Sequence, residues 1–350
     1  MPCGLFFETY EKDEAIFQTT FLRVAMAAFA VLLLAFPFFS DWLSGLTNLY
    51  WLGIMTHICI FVLGAQGLNL LTGFTGQISL GHGAFMAVGA FTAGVLHMDL
   101  GWNFLLAILA GGLMAAALGM IFGVPSLRLR GLYLAIATLA AQIIIIWLLR
   151  GVFEAGAVEV SDATLFGFSF DTDQRKYYLC LFFAALGTLY LKNLMRTRTG
   201  RAFVAVRDRY LSAEVIGVNL FKYRILSFGI SSFMVGLAGG LWAFTENAVT
   251  DEAFGVALSV KYLAYIIVGG LGQVTGAIFG VTFLELLHWL LEVPTDALSR
   301  IFPNIFEKLA SLREIVFGLI VIVFLIFEPD GLSARWRTIR SYWKLWPFSY

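Results

Sequence analysis

Ten stretches of nearly unbroken apolar residues divide the chain, at about 18–39, 48–71, 83–98, 102–123, 131–149, 177–194, 225–245, 254–269, 274–291 and 313–327. A spanning helix needs about 20 such residues, and only the two runs near 254–291 are short. Composition agrees with this pattern. Of the 350 residues, 13% are charged and 60% hydrophobic, whereas an ordinary globular domain carries about 25% charged residues. Too little charge remains to coat a water-facing surface. Backbone in lipid must satisfy its own hydrogen bonds, and uninterrupted runs of this length do so as helices. The expectation is therefore an all-α polytopic membrane protein of about ten transmembrane helices (8–10).

Orientation follows from the Lys and Arg residues of the short loops. With both termini cytoplasmic, sixteen lie inside: Lys12 and Arg23, Arg128 and Arg130, the cluster from Lys192 to Arg224, and Arg335, Arg337, Arg340 and Lys344. Six lie outside, and Lys261 sits within a span. The first residues carry Glu8, Glu11, Asp13 and Glu14, the wrong charge for a signal peptide, so the first apolar run reads as a retained span. The expected organisation is a cytoplasmic segment 1–17, a transmembrane domain 18–330 and a basic cytoplasmic tail 331–350. Within the domain lie an acidic outer loop, 151–176, and a cytoplasmic loop, 196–224.

That cytoplasmic loop is patterned. Phe203, Val206, Tyr210, Leu211, Val215 and Val218 recur near a 3.6-residue period with charges between them, which predicts a short amphipathic helix pair ended by Gly217 and Asn219. A loop serving only to anchor topology needs charge but not apolar periodicity, so a docking surface is the favoured reading over a bare basic anchor. Small residues also recur at every fourth position in Gly111, Ala115, Gly119; Ser232, Gly236, Gly240; and Gly272, Gly276, Gly280. Such strips let helix backbones approach closely and speak for packing rather than mechanism.

The segment Leu71–Phe85 is different. Its run Thr-Gly-Phe-Thr-Gly-Gln-Ile-Ser-Leu-Gly-His-Gly interrupts what should be hydrocarbon. Irregular backbone at membrane depth is tolerated where protein buries it or water reaches it, and broken helices of this kind line substrate paths in transporters. Gly73, Gly76, Gln77, Ser79, Gly81, His82 and Gly83 are the candidate path residues; the competing reading is close helix packing alone. Gly269–Val274 echoes Gly73–Ile78 as Gly-x-x-Gly-Gln-apolar. The echo marks either a duplicated half or a chance match in a glycine-rich chain; the two segments lie six spans apart, where a five-plus-five inverted repeat needs five.

No catalytic signature is present. No Lys follows a Gly, which removes a phosphate-binding P-loop, and no His-Glu-x-x-His or Gly-x-Ser-x-Gly occurs. No metal site is expected from four scattered histidines and three isolated cysteines, and 23 basic against 23 acidic residues give no field for nucleic acid. Glu285 is the one carboxylate well inside a span, so an ion-coupled secondary transporter using Glu285 is the alternative reading. A lipid-modifying enzyme would need a polar cluster that the sequence lacks. What remains is a translocation path without an engine, with a surface suited to docking one.

Several motifs in order carry a family resemblance. Gly67–Phe85, Leu127–Leu139, Thr199–Asp208, Ala213–Asn219, Ile267–Gly272 and Phe327–Leu332 resemble, in sequence, the LivM-type permeases of branched-chain amino acid ABC importers, over roughly residues 45–345. The resemblance implies a permease subunit in a bacterial cytoplasmic (inner) membrane. Its implied partners are a homologous second permease, two P-loop ATPase subunits that hold ATP and Mg, and a periplasmic or surface substrate-binding protein. No cofactor is expected on this chain. The loop corresponding to the family's coupling helix is Arg201–Val218, so Arg201, Arg207, Asp208, Glu214 and Gly217 are the candidate ATPase-coupling residues. The chain departs from the family in having Phe153-Glu-Ala-Gly-Ala-Val-Glu-Val160 where members often carry Thr-Gly-Gly-x-x-Gly. That departure leaves the solute open among branched-chain amino acids and related small polar or carboxylate solutes.

Overall fold

A computed structural model describes residues 20–47, 49–127, 129, 131–152, 157–160, 164–165, 168–170, 172–301, 306–328 and 330–345. Its helices are α1 (Thr20–Thr47), α2 (Trp51–Leu68), α3 (His82–Met98), α4 (Phe104–Gly123), α5 (Leu132–Val152), α6 (Asp173–Leu194), α7 (Arg198–Val215), α8 (Leu220–Glu246), α9 (Val256–Gly269), α10 (Val274–Ile301), α11 (Phe306–Phe327) and α12 (Leu332–Leu345). Every apolar run of the sequence falls in one of them.

The span count needs refinement. Among the described residues, seven helices are long and apolar enough to cross a membrane, with an eighth if Ile315–Phe327 is joined to Leu332–Ile339. The runs at 83–98 and 254–269 form the shorter helices α3 and α9, of 17 and 14 residues. At 1.5 Å per residue they rise only about 25 and 21 Å, less than the roughly 30 Å of bilayer hydrocarbon. Both are short for one reason: non-helical, glycine-containing chain adjoins them, at Thr75–Gly81 before α3 and at Gly270–Gln273 after α9.

The chain divides into two units. One is built on α1, with Pro37 inside it and the Ser40 hydroxyl donating to the Pro37 carbonyl at 2.8 Å, and on the basic helix α12. The other runs from Gly53 to Ser333 and holds all the candidate site residues.

Its centre is α8, buried along most of its length from Ser227 to Phe244 between α3 and α4. The predicted strips interlock here. A Cβ on Gly236 would lie 3.0 Å from the Gly112 Cα and against Ala115, and one on Gly111 would meet the Gly89 carbonyl of α3 at 2.5 Å. A third strip works likewise, Gly276 and Gly280 of α10 lying on the Gly269 backbone of α9. Because dispersion falls steeply with separation, these contacts hold only while the backbones touch. Gly236→Val is expected to destabilise the bundle by about 1–3 kcal/mol through overpacking. A lowered thermal midpoint in detergent checks this; an unchanged midpoint contradicts it.

At one end of this unit the acidic segment, expected as a loop, contributes three short strands. β1 (Ala157–Glu159) pairs antiparallel with β4 (Ala248–Thr250), Val158 opposite Val249, and β2 (Thr164–Leu165) pairs with β3 (Phe168–Ser169). At the basic end lies α7, with non-helical dihedrals at Arg209 (φ −151°, ψ 86°). The predicted amphipathic pair is thus present as two helical segments that meet at a kink at Arg209. It ends on Gly217 (φ +88°), where Val218 N–H reaches back to the Ala213 carbonyl at 2.9 Å, a Schellman closure. Contrary to the expectation from the sequence, Asn219 does not end this helix. Its side-chain oxygen accepts from the Lys222 N–H at 3.0 Å and opens α8, since an Asn oxygen suits the unpaired amides of a helix start.

Candidate functional site

α2 loosens into a π-helical turn, Asn69–Phe74, and the chain then folds back on itself. Gln77 N–H donates to the Leu71 carbonyl at 3.0 Å, and the Thr72 hydroxyl donates to the Gln77 carbonyl at 3.2 Å. The buried Gln77 amide donates to the Thr75 hydroxyl at 3.0 Å and to Ser227 of α8 at 2.7 Å, while its Oε1 has no hydrogen-bond partner among the described residues. Leu80 N–H donates to the Thr138 hydroxyl of α5 at 2.9 Å. Ser79 is buried and accepts from Gly81 N–H at 3.3 Å. His82 is buried as well; its Nε2 lies 2.9 Å from the Gly64 carbonyl and must donate to it, and its ring stands edge-on to Tyr262 at 5.1 Å. Gly76 and Ile78 are the exposed positions of this stretch. The irregular backbone is thus held by side chains of α5 and α8.

The first turn of α3 is held by polar side chains that sequence reasoning missed. Gly83 N–H donates to Ser259 at 2.8 Å, and Ala84 N–H donates to Gln142 Oε1 at 3.0 Å. Gln142 also accepts from Ser259 at 2.9 Å and donates to the Phe254 carbonyl at 2.7 Å. One amide therefore ties α5, α3 and the start of α9 together. The available signal was a lone Gln inside Ala140–Leu149, an apolar run in which an unpaired amide would be costly.

The two echoed motifs meet. Asn69 donates to the Gln273 carbonyl at 2.8 Å and accepts from Gly272 N–H at 2.9 Å, while Gln66 donates to the Val274 carbonyl at 2.9 Å. A Cβ on Gly73 would lie 3.0 Å from the Gly272 Cα. Arg207 of α7 closes this junction. Its Nη1 donates to the Gly73 carbonyl at 2.9 Å, and its Nε donates to Asp208 at 2.9 Å. The guanidinium caps a carbonyl at the end of a helical segment, where positive charge is favourable. Gly76 (φ +69°) and Gly272 (φ +72°) both lie on Arg207, and a Cβ at either would come within 3.0 Å of its side chain. Both positions take the left-handed backbone that glycine adopts without strain.

Of the candidate coupling residues, only Arg207 reaches the break. Arg201, Asp208, Glu214 and Gly217 are exposed along the helix pair. Before Arg209 the helix is anchored, with Ala202, Phe203 and Val206 buried. Beyond it Leu211, Val215 and Ile216 are 62%, 87% and 76% exposed. Glu285 is 2% exposed, with Lys261 Nζ at 2.7 Å and the Tyr265 hydroxyl donating to it. Lys261 also lies over Phe61 at 5.0 Å. This carboxylate clasps α10 to α9. Removing one partner of such a pair costs about 3–5 kcal/mol, whereas an apolar replacement of both is near neutral. Glu285→Ala is expected to lose stability on that scale, and Lys261→Met/Glu285→Leu to fold and transport. A stable, inactive double variant would return Glu285 to an ion-coupling role.

Buried helices, two broken segments in contact and a basic amphipathic helix bonded to them define a multi-pass membrane protein of the transport class. A family model described as "Branched-chain amino acid transport system / permease component" matches residues 50–325, and the chain belongs to that family of transport permease subunits. It is 29% identical to the high-affinity branched-chain amino acid transport system permease protein LivM of Escherichia coli, over 90% of this chain and 76% of that one. It is 30% identical to LivM of Salmonella typhimurium, over 81% and 70%. A guanosine ABC transporter permease protein of Bacillus subtilis is 24% identical over 57% of this chain and 70% of its own length. No solved structure matches the chain.

Proposed function

We propose that this chain is the permease subunit of an ATP-driven importer and forms part of the path for branched-chain amino acids or a related small solute. The observation that carries the reading is the Arg207 junction. A helix pair with an exposed apolar tip is bonded through one guanidinium to the meeting point of two broken segments. A partner that moves the tip moves the breaks with it, because α7 before Arg209 is anchored by Phe203 and Val206.

ATP and Mg belong on two separate P-loop ATPase subunits, into which Leu211, Val215 and Ile216 dock with Arg201, Asp208, Glu214 and Gly217 around them. A homologous second permease completes the path, and a substrate-binding protein delivers solute at the β1–β4 end, in a bacterial inner membrane. Nucleotide-driven approach of the ATPases then switches the path between inward- and outward-facing states by rigid-body motion, biasing an equilibrium already present. The stretch from Gly73 to Gly83 borders the path, and the unpaired Gln77 Oε1 is its spare acceptor. Affinity purification of the tagged chain in mild detergent tests the reading. A P-loop ATPase and a second glycine-rich permease are expected in stoichiometric amounts; a chain that purifies alone contradicts it.

A further inference from the structure

Phe327 ends an uncharged apolar stretch that begins at Ile315, and α12 starts five residues later, at Leu332. Five residues reach about 18 Å at most, so α12 begins close to the headgroups. Its start is also fixed in place. Gly331 N–H donates to the Glu328 carbonyl at 3.0 Å. With φ at +77°, Gly331 lies on the second broken segment, where a Cβ would come 2.6 Å from the Gly270 nitrogen. Ser333 is 1% exposed and lies against Gly270 as well.

Beyond this anchored turn the charge becomes one-sided. Between Gly331 and Tyr350 there are four basic residues, Arg335, Arg337, Arg340 and Lys344, and no acidic one, although the chain as a whole balances 23 against 23. Apolar residues recur at Leu332, Trp336, Ile339 and Trp343, a spacing that sets them on one stripe of a helix. Trp336 and Ile339 are 55% and 51% exposed, and Arg335 and Arg337 are exposed too. Two guanidiniums so near its start are too costly for α12 to continue the span through hydrocarbon. A stripe of exposed aromatic and aliphatic side chains is equally out of place in bulk water. The boundary between headgroups and acyl chains satisfies both.

We infer that α12 is a membrane-surface helix that binds anionic phospholipid headgroups. Its apolar stripe lies at the acyl boundary and its basic residues meet phosphates, on the side that the basic loops assign to the cytoplasm. A protein is the competing occupant, and charge separates the two. The exposed tip of α7 is flanked by both signs, Arg207 and Arg209 with Asp208 and Glu214, as suits a protein surface. α12 offers one sign only, as suits a sheet of phosphates, and its tether holds it beside that sheet.

This inference goes beyond the importer reading, and its test uses neither ATP nor solute. Ile339→Cys is labelled with the environment-sensitive fluorophore nitrobenzoxadiazole in a chain carrying Cys3→Ser, because Cys59 and Cys180 are buried. Ser341→Cys, on the opposite side of the helix, is the control. The labelled chain is placed in nanodiscs of phosphatidylcholine into which increasing phosphatidylglycerol is mixed. Emission from the label at 339 is expected to shift to the blue as phosphatidylglycerol rises and to return at high salt, while the label at 341 stays as in water. At the composition where this chain is half docked, Arg335→Gln/Arg337→Gln should lower the docked-to-undocked ratio about 20- to 30-fold, each charge near an anionic surface being worth about fivefold. Arg335→Lys/Arg337→Lys should restore docking, which a protein partner gripping the guanidinium forks would not allow. Equal emission from 339 and 341 at every composition overturns the inference. So does a blue emission already complete in phosphatidylcholine and indifferent to phosphatidylglycerol, salt and the Gln variant. A shift that requires added ATPase subunits gives the face to a protein and overturns it as well.

Discussion

Arg207→Ala is expected to lower ATP-driven uptake by about 10- to 100-fold while the chain still inserts and still binds its ATPase. Besides the exposed pair with Asp208, the substitution deletes the charge-assisted hydrogen bond to the Gly73 carbonyl, of the class worth about 1.5–3 kcal/mol. It leaves Leu211, Val215 and Ile216 unaltered on the far side of the Arg209 break. ATP hydrolysis should therefore continue without transport, a split that simple unfolding does not produce. Arg207→Lys keeps the charge but not the fork that reaches Gly73 and Asp208 together, so it should recover part of the loss. Wild-type uptake by Arg207→Ala would separate α7 from the breaks.

The second large effect concerns the break itself. Gly76→Val and Gly81→Val are each expected to abolish uptake without preventing insertion. At Gly76 the backbone sits at φ +69° and a Cβ would lie 3.0 Å from Arg207 Cγ. A β-branched residue is strained there by about 1–2 kcal/mol before any contact is counted. At Gly81 a Cβ would lie 2.7 Å from the Thr138 carbonyl, so the added bulk pushes on α5, the helix that carries Gln142. Insertion depends on the hydrophobicity of the spans, which neither change alters. Uptake assays paired with quantification of the chain in membranes check both variants, and normal transport in both would show that the segment only packs helices.

Much of this architecture is legible in the amino-acid sequence, because hydrocarbon imposes one demand on every span. The ten apolar runs are helices, the strips at Gly111 and Gly236 interlock, and Arg201–Val218 is a kinked amphipathic pair. Composition does not fix which runs cross unaided. α3 and α9 are short because Thr75–Gly81 and Gly270–Gln273 leave the helix, and apolarity alone does not register that. The Gly-x-x-Gly-Gln echo is visible, but not that its two copies touch through Asn69, since a contact across some two hundred residues has no local signature. Arg207 reads as one basic residue among seven in its loop. What singles it out is a carbonyl on a different helix. Gln142, Ser259 and Thr138 escape notice for the same reason: each is an isolated polar residue in an apolar run, paired to backbone that the irregular segment leaves open.

Hydrogen bonds hold the break at both ends, from Gln142 through Ser259 to Gly83 on one side and from Arg207 to the Gly73 carbonyl on the other. Contiguity alone does not establish energetic coupling. A double-mutant cycle between Gln142→Leu and Arg207→Ala, read as uptake, would measure it.

The most direct measurement of the central claim is solute uptake into vesicles that hold this chain with its co-purified partners. Radiolabelled leucine is the probe, with ATP or a non-hydrolysable analogue on the ATPase side and an uncoupler present throughout. An ATP-driven permease subunit gives uptake with ATP, none with the analogue, and no loss to the uncoupler. Uptake by the chain alone, without ATP and abolished by the uncoupler, would contradict it and place the engine within this chain.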